Sequence, residues 1–316
     1  MYRWLTADVE EDYDGIRWGQ GISREFIDDM IQRFKDSKRI PKKYVCFRIV
    51  DVLTSTQVYR ILYDIKQLLM LEPTMLELSV LDNETLTICG DTHGQFYDVL
   101  EIFQRNGYPS PTHHYLFNGD FVDRGSWSTE VALLLYAFKL LYPKCVHMNR
   151  GNHETDDMNK VYGFEGECKS KYNEKVFKMF SETFSALPLA TLVSQKYLVL
   201  HGGLFSKDGV TLNDIRSIDR HARRQPSGEG LVNEMLWTDP QPNPGRGPSK
   251  RGVGLQFGPD VTKRFCEENG LAAVIRSHEV RMDGYEVEHE GKLVTVFSAP
   301  NYWYTNPLPR MHEIFD

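Results

Sequence analysis

The chain has 316 residues, 41% apolar and 26% charged, and a formal net charge of −7. This is ordinary globular usage with room for a large core, and it argues against a disordered chain, a nucleic-acid binder and a binder of anionic membranes. The longest uninterrupted apolar run, Val131 to Phe138, is far too short to span a bilayer.

Residues 1–22 read as an acidic lead-in without the apolar stretch of a secretory signal. From Ser23, a side chain suited to capping a helix, Phe26, Ile27, Met30, Ile31 and Phe34 recur at helical spacing. That helix should stop at Lys38-Arg39, before Pro41; a second should run from Thr56 to Leu71, closed by Pro73. Neither an internal repeat nor a low-complexity tract is visible. Asp239 to Pro248, rich in Pro and Gly, reads as a surface loop. Cys46, Cys89, Cys145, Cys168 and Cys266 are scattered and form no Cys-x-x-Cys pair, so neither a zinc finger nor a disulfide framework is indicated. They read as reduced thiols, several of them buried, in a cytoplasmic and/or nuclear protein.

From residue 85, short β-type runs repeatedly end in polar clusters. Thr85–Cys89 leads into Gly90-Asp-Thr-His-Gly94, His114–Phe117 into Asn118-Gly-Asp-Phe-Val-Asp-Arg-Gly125, and Cys145–Met148 into Asn149-Arg-Gly-Asn-His-Glu154. Further on, Tyr197–Leu200 ends at His201-Gly-Gly203, Ala272–Ile275 at Arg276-Ser-His-Glu279, and Leu293–Phe297 at Ser298-Ala-Pro-Asn-Tyr302. Helical stretches intervene at Phe96–Gln104, Thr129–Leu141, Lys169–Phe184, Leu212–His221 and Val261–Asn269. The alternation indicates an α/β core, in which ligands gather where strands end. One shared site at the strand ends follows.

Asp91, His93, Asp120, Asn152, His201 and His278 supply carboxylates, imidazoles and an amide but no thiolate, a set suited to two divalent ions of manganese, iron or zinc. Such ions lie about 3.5–4 Å apart and clamp an in-line displacement, and a bridging water becomes hydroxide near neutral pH. Asp120 is the candidate bridge. His153, beside Asn152, can protonate the leaving oxygen, with Asp123 orienting the ring. Arg124 and Arg251 can fork onto phosphate oxygens, and Arg150 is a weaker candidate. Taken singly, each piece has a plainer reading: Asp123-Arg124 as a structural ion pair, His113-His114 as solvated loop residues. His153-Glu154 has no second His at helical spacing, which excludes a helical zinc-protease site.

Together, Gly90-Asp-Thr-His-Gly94, Gly119-Asp-Phe-Val-Asp-Arg-Gly125 and Arg150-Gly-Asn-His-Glu154 resemble the signature of the PPP-family metallophosphatases. Leu236-Trp-Thr-Asp-Pro240, Ser249-Lys-Arg-Gly252 and Ser298-Ala-Pro-Asn-Tyr302 extend the resemblance, and Gly163-Phe-Glu-Gly166, Gln256-Phe-Gly-Pro-Asp260 and Arg276-Ser-His-Glu279 resemble the phosphatase 5 branch. The resemblance implies an α/β metallophosphoesterase (calcineurin-like) fold, two mixed β-sheets packed as a sandwich and flanked by helices, occupying residues 23–302. It implies Asp91, His93 and Asp120 on one metal and Asp120, Asn152, His201 and His278 on the other. It further implies His153 with Asp123 as proton donor pair, and Arg124, Asn152, Arg251 and Tyr302 as substrate contacts. The implied substrates are phosphoserine and phosphothreonine in proteins.

Two departures stand out. Nothing in the chain matches a tetratricopeptide-repeat domain, so the family's chaperone partners are not inferred for it. Residues 303–316 contain Pro307 and Pro309, unsuited to a central strand, and Trp303 stands where a cysteine is usual. The expectation is a shortened end lacking the family's C-terminal strands, and a less stable domain. Alternatives to a protein phosphatase are a metallophosphoesterase acting on small molecules such as dinucleoside polyphosphates, and a non-catalytic binding protein.

Overall fold

The computed structural model describes residues 15–16, 21–37, 55–222, 225–226, 228–300 and 302. The expected helix end at Lys38-Arg39, Cys46 and the segment 303–316 lie outside the described residues. Helices α1 (Arg24–Ser37) and α2 (Ser55–Leu71) lie where the apolar spacing places them, and Ser23 Oγ accepts from Phe26 N at 3.2 Å. Then β1 (Met75–Leu78), β2 (Thr85–Cys89), α3 (Phe96–Asn106), β3 (His113–Phe117), α4 (Ser128–Leu141) and β4 (Val146–Met148) follow. The helix expected over Lys169–Phe184 is divided. After α5 (Asp156–Tyr162), α6 (Phe164–Lys171) ends before Asn173, whose side chain accepts from Val176 N at 3.0 Å and so starts α7 (Glu174–Phe184).

Next come β5 (Ala190–Val193), β6 (Tyr197–Leu200) and α8 (Leu212–Arg216). The last stops short of the expected His221 because the chain beyond it is spent on the end of α2. Ile218 O accepts from Thr74 Oγ1 at 2.7 Å, and buried Arg220 donates to Glu72 O at 2.6 Å and Leu69 O at 2.8 Å. The remaining elements are α9 (Leu231–Trp237), β7 (Asp239–Pro240), β8 (Arg246–Pro248), β9 (Leu255–Phe257), α10 (Pro259–Asn269), β10 (Ala273–Arg276), β11 (Tyr285–Glu288) and β12 (Leu293–Val296). Asp239–Pro248 is thus no simple surface loop: β7 and β8 flank β9 in a small sheet, and Asp239 is only 5% exposed. Nor are His113 and His114 loop residues. They open β3, where His113 Nε2 lies 2.8 Å from Thr87 Oγ1.

Six strands form a mixed sheet in the order β1-β5-β6-β10-β12-β11, while β2, β3 and β4 pair in parallel. Alternating strand residues divide the core. Leu116 on β3 meets Val199, Ile275, Val294 and Val296 between the two sheets. Tyr115 and Phe117 face the other way, into a cluster shared with α1, α2, α3, α4, α6 and α7. On the far side of the larger sheet, Leu198, Leu200 and Val274 pack against Met235, Val261 and Phe265. The apolar run from Val131 to Phe138 lies in α4, buried on every side, as a helix apolar all round must be. Among the described residues, no helix is long and apolar enough to cross a membrane.

Candidate active site

The loops after β2, β3, β4, β6, β10 and β12 converge on one rim, where strain is concentrated. His93, Asp120, Asp123, Arg124 and His278 all have positive φ (39°, 52°, 68°, 68° and 73°), a conformation that side-chain-bearing residues rarely adopt. Close packing of two loops demands glycine at Gly119 and Gly151. A Cβ on Gly119 would stand 2.5 Å from Gly151 N, and one on Gly151 would stand 2.5 Å from Asp120 N.

Asp91, His93, Asp120, Arg124, His153, Arg251, His278 and Tyr302 line a single cleft of about 270 Å³. Asn152, His201 and Asp123 are buried behind it. Two groups could each hold a metal ion: His93, Asp120 and His153, and Asp120, His201 and His278. Asp120 is common to both. The first group contains His153 where the expected set has Asp91; Asp91 Oδ2 stands 3.6 Å from His93 Nε2, and Asp91 Oδ1 accepts from His278 N at 3.0 Å.

The donor chemistry fits cations. His201 Nδ1 is bonded to Asn118 O at 2.8 Å, which turns Nε2 toward Asp120 Oδ2 at 3.2 Å. His93 Nδ1 is likewise held by Val122 O at 2.9 Å. A backbone carbonyl on one ring nitrogen is how ligating imidazoles are commonly oriented. Burial opposes a charge on His201, yet the Asp120 carboxylate outweighs it and lifts the imidazole to about 9. His93 is also raised against burial, by Asp91 and Asp120, while Asp120 itself is held well below the usual carboxylate range despite burial, chiefly by His201 and His153. The position between these groups favours positive charge. Burial and the nearby Arg251 hold His278 well below its ordinary value, and its buried Nε2 has no hydrogen-bond partner among the described residues. The amide head of Asn152 lies 2.9 Å from His201 Nε2, 3.0 Å from His278 Nδ1 and 3.0 Å from Asp120 Oδ2. One amide cannot satisfy so many lone pairs; a cation can.

His153 Nδ1 meets Asp123 Oδ2 at 2.8 Å. Arg124 is exposed on the rim, its guanidinium carbon 4.5 Å from the Tyr162 ring centre and 5.3 Å from that of Tyr302. Tyr302 stacks on His93 with ring centres 5.3 Å apart. Arg150, the weaker phosphate candidate, is displaced from this role. It is 1% exposed and donates to Glu154 O at 3.1 Å, away from the cleft.

Three supporting residues carry no assignment from sequence. Glu154 accepts from Asp120 N at 2.8 Å, Phe121 N at 3.0 Å and Gly151 N at 2.8 Å, fixing the loop that presents Asp120. Burial, with Asp120 close by, pushes its carboxyl up to about 8. Asp239 ties Arg251 to the buried Arg276, and Asn159 stands behind Asp123. The signal for Glu154 and Asp239 was their place inside quoted motifs; for Asn159 there was none.

A family model for calcineurin-like phosphoesterase matches residues 85–282, and one for the PPP5 TPR repeat region matches residues 3–77. The second match overturns the expectation that nothing here corresponds to such a region. The described part of 3–77 comprises α1 and α2 with the start of β1, and the apolar faces of both helices join the cluster around α4. Two helices without a visible repeat period gave the sequence no signature of this kind. Serine/threonine-protein phosphatase T of Aspergillus oryzae is 67% identical over 93% of this chain and 59% of its own length. Serine/threonine-protein phosphatase 5 of Rattus norvegicus is 53% identical over 94% of this chain and 57% of its own. The chain thus spans about six-tenths of the curated relatives it matches. A solved serine/threonine phosphatase from Saccharomyces cerevisiae, described as similar to human phosphatase PP5, superposes with a TM-score of 0.80 at 51% identity, covering 89% of this chain and 84% of that one.

Proposed function

Since the chain belongs to the calcineurin-like phosphoesterase family, in the branch of serine/threonine-protein phosphatases 5 and T, we propose that it hydrolyses phosphoserine and phosphothreonine esters in proteins. The observation that carries this reading is the His153–Asp123 pair at 2.8 Å, in the same cleft as the cation-favouring cluster around Asp120. On this reading Asp91, His93 and Asp120 hold one ion, and Asp120, Asn152, His201 and His278 hold the other. Manganese, iron and zinc suit these donors. Bound there, such ions supply Lewis acidity, neutralising phosphate charge and acidifying a water.

The chain's own side chains supply the rest. Arg124 reaches phosphate oxygens as a forked donor and Arg251 through Nη1, its other nitrogens being held by Asp239 and His278 O, while Asn152 and Tyr302 border the bound group. His153 gives its Nε2 proton to the departing seryl or threonyl oxygen, while Asp123 keeps Nδ1 protonated and the ring aimed. We take residues 23–302 as one catalytic domain, supported by the core that α1 and α2 share with α3, α4, α6 and α7. A cytoplasmic and/or nuclear location is supported by four free, buried cysteines among the described residues. The test is turnover of a phosphoseryl peptide beside a dinucleoside polyphosphate by the manganese-loaded chain. Peptide turnover is expected, and hydrolysis of the dinucleotide alone would overturn the reading.

A further inference from the structure

Asp123 accepts three hydrogen bonds, one of them from a residue that no motif contains. Oδ2 accepts from His153 Nδ1 at 2.8 Å and from Asn159 Nδ2 at 3.0 Å, while Oδ1 accepts from Phe164 N at 2.9 Å. The same Asn159 amide nitrogen donates to His153 O at 2.7 Å. Asn159 is fully buried on α5. With two acceptors before it, the amide can point in only one sense, nitrogen inward. Its Oδ1 is buried with no hydrogen-bond partner among the described residues, so the amide serves its donors at the expense of its acceptor.

One amide therefore ties down both the carboxylate that grips the imidazole and the backbone carbonyl beside which the ring hangs. A swing of the ring by about 1 Å would carry Nε2 off the line to a departing oxygen. We propose that Asn159 is a positioning residue for the proton donor, setting the angle at which His153 meets the leaving group. The inference rests on the reading of His153 as the acid.

It predicts a kinetic signature that general destabilisation does not give. A seryl oxygen needs a proton as the P–O bond breaks, whereas p-nitrophenolate, far less basic, departs without one. Asn159→Ala should lower kcat on a phosphoseryl peptide roughly 10- to 100-fold with KM unchanged. Turnover of p-nitrophenyl phosphate should fall by less than about threefold, at full metal content. In a His153→Asn background the same change should cost nothing more, because its effect passes through the ring. Asn159→Leu, close in size and without a donor, should repeat the pattern and serves if the alanine variant does not fold. Equal losses on both substrates, or a further loss in the His153→Asn background, would overturn the proposal. Failure of the unaltered chain to turn over the peptide would instead strike the functional reading beneath it.

Discussion

Asp239 grips Arg251 with both carboxylate oxygens, Oδ2 to Nε at 2.5 Å and Oδ1 to Nη2 at 3.2 Å, and Oδ1 also accepts from Arg276 at 2.9 Å. Arg276 is fully buried and donates onward to Gly202 O at 2.6 Å, next to His201. One carboxylate thus fixes an arginine at the cleft mouth and neutralises another inside the protein.

Asp239→Asn should separate those two duties. A loosened Arg251 should raise KM for a phosphopeptide about tenfold. Arg276 keeps Glu279 Oε2 at 3.2 Å, so losing one of its two carboxylates should cost roughly 1.5–3 kcal/mol of stability. Steady-state kinetics and urea melts read the two effects, and an unchanged KM would mean that Arg251 holds its pose without Asp239.

His153→Asn should lower kcat on phosphoseryl peptides by roughly 10²- to 10⁴-fold. Elemental analysis should find the same metal content, because His153 Nδ1 is committed to Asp123 and not to the shared cluster. Loss of metal together with activity would reassign His153 to the ligand set, as its grouping with His93 and Asp120 would allow.

Chelation should abolish turnover and lower Tm, since it leaves the buried Asp91 and Asp120 carboxylates to be offset by imidazoles alone. Restoring manganese to about 100 times its Kd should return about 2.7 kcal/mol. Scanning calorimetry on stripped and reloaded protein measures the difference, and identical melting curves would argue against a metal centre at this rim.

A pH effect should arise far from the cleft, at His147 on β4. Burial, aided by the Lys139 cation, pushes this imidazole down to about 3. Unfolded, it would take up a proton near pH 6.5. The unfolded chain therefore binds more protons between these values, so the stability owed to a neutral His147 is complete above about pH 6.5 and drains away toward about pH 3. The total is of the order of 5 kcal/mol. His147→Gln should flatten this part of the urea-midpoint profile; an unchanged slope would show that other groups set it.

The strand ends were legible because short β-type runs repeatedly end in polar clusters, most of them built from Gly, Asp, Asn and His. The core helices were legible from their spacing, α4 included, since an apolar run too short for a bilayer must be buried in protein. Breaks and short elements were not. The gap between α6 and α7 depends on Asn173 capping the latter, and the early end of α8 depends on Arg220 reaching carbonyls on α2, contacts distant in sequence or local to one cap. At the site, residue types that bear chemistry could be read, but residues acting through hydrogen bonds to backbone, such as Glu154, or to another side chain, such as Asn159, could not. Their partners are visible only in three dimensions. His93 shows another limit. Strand alternation would put Asp91 and His93 on one side of an extended chain; they do approach each other, but through the left-handed backbone of His93.

The way α1, α2 and β1 pack has a consequence for the order in which the polypeptide can be built. Met75 on β1 pairs with Ala190 on β5, and Lys66 on α2 bonds Glu182 on α7 at 2.8 Å. On the ribosome, α1 and α2 emerge before α4 and well before α7 and β5, the elements that cover them and β1. The apolar faces of α1 and α2 therefore stay open for part of synthesis, an interval in which their contacts are not yet those of the finished domain.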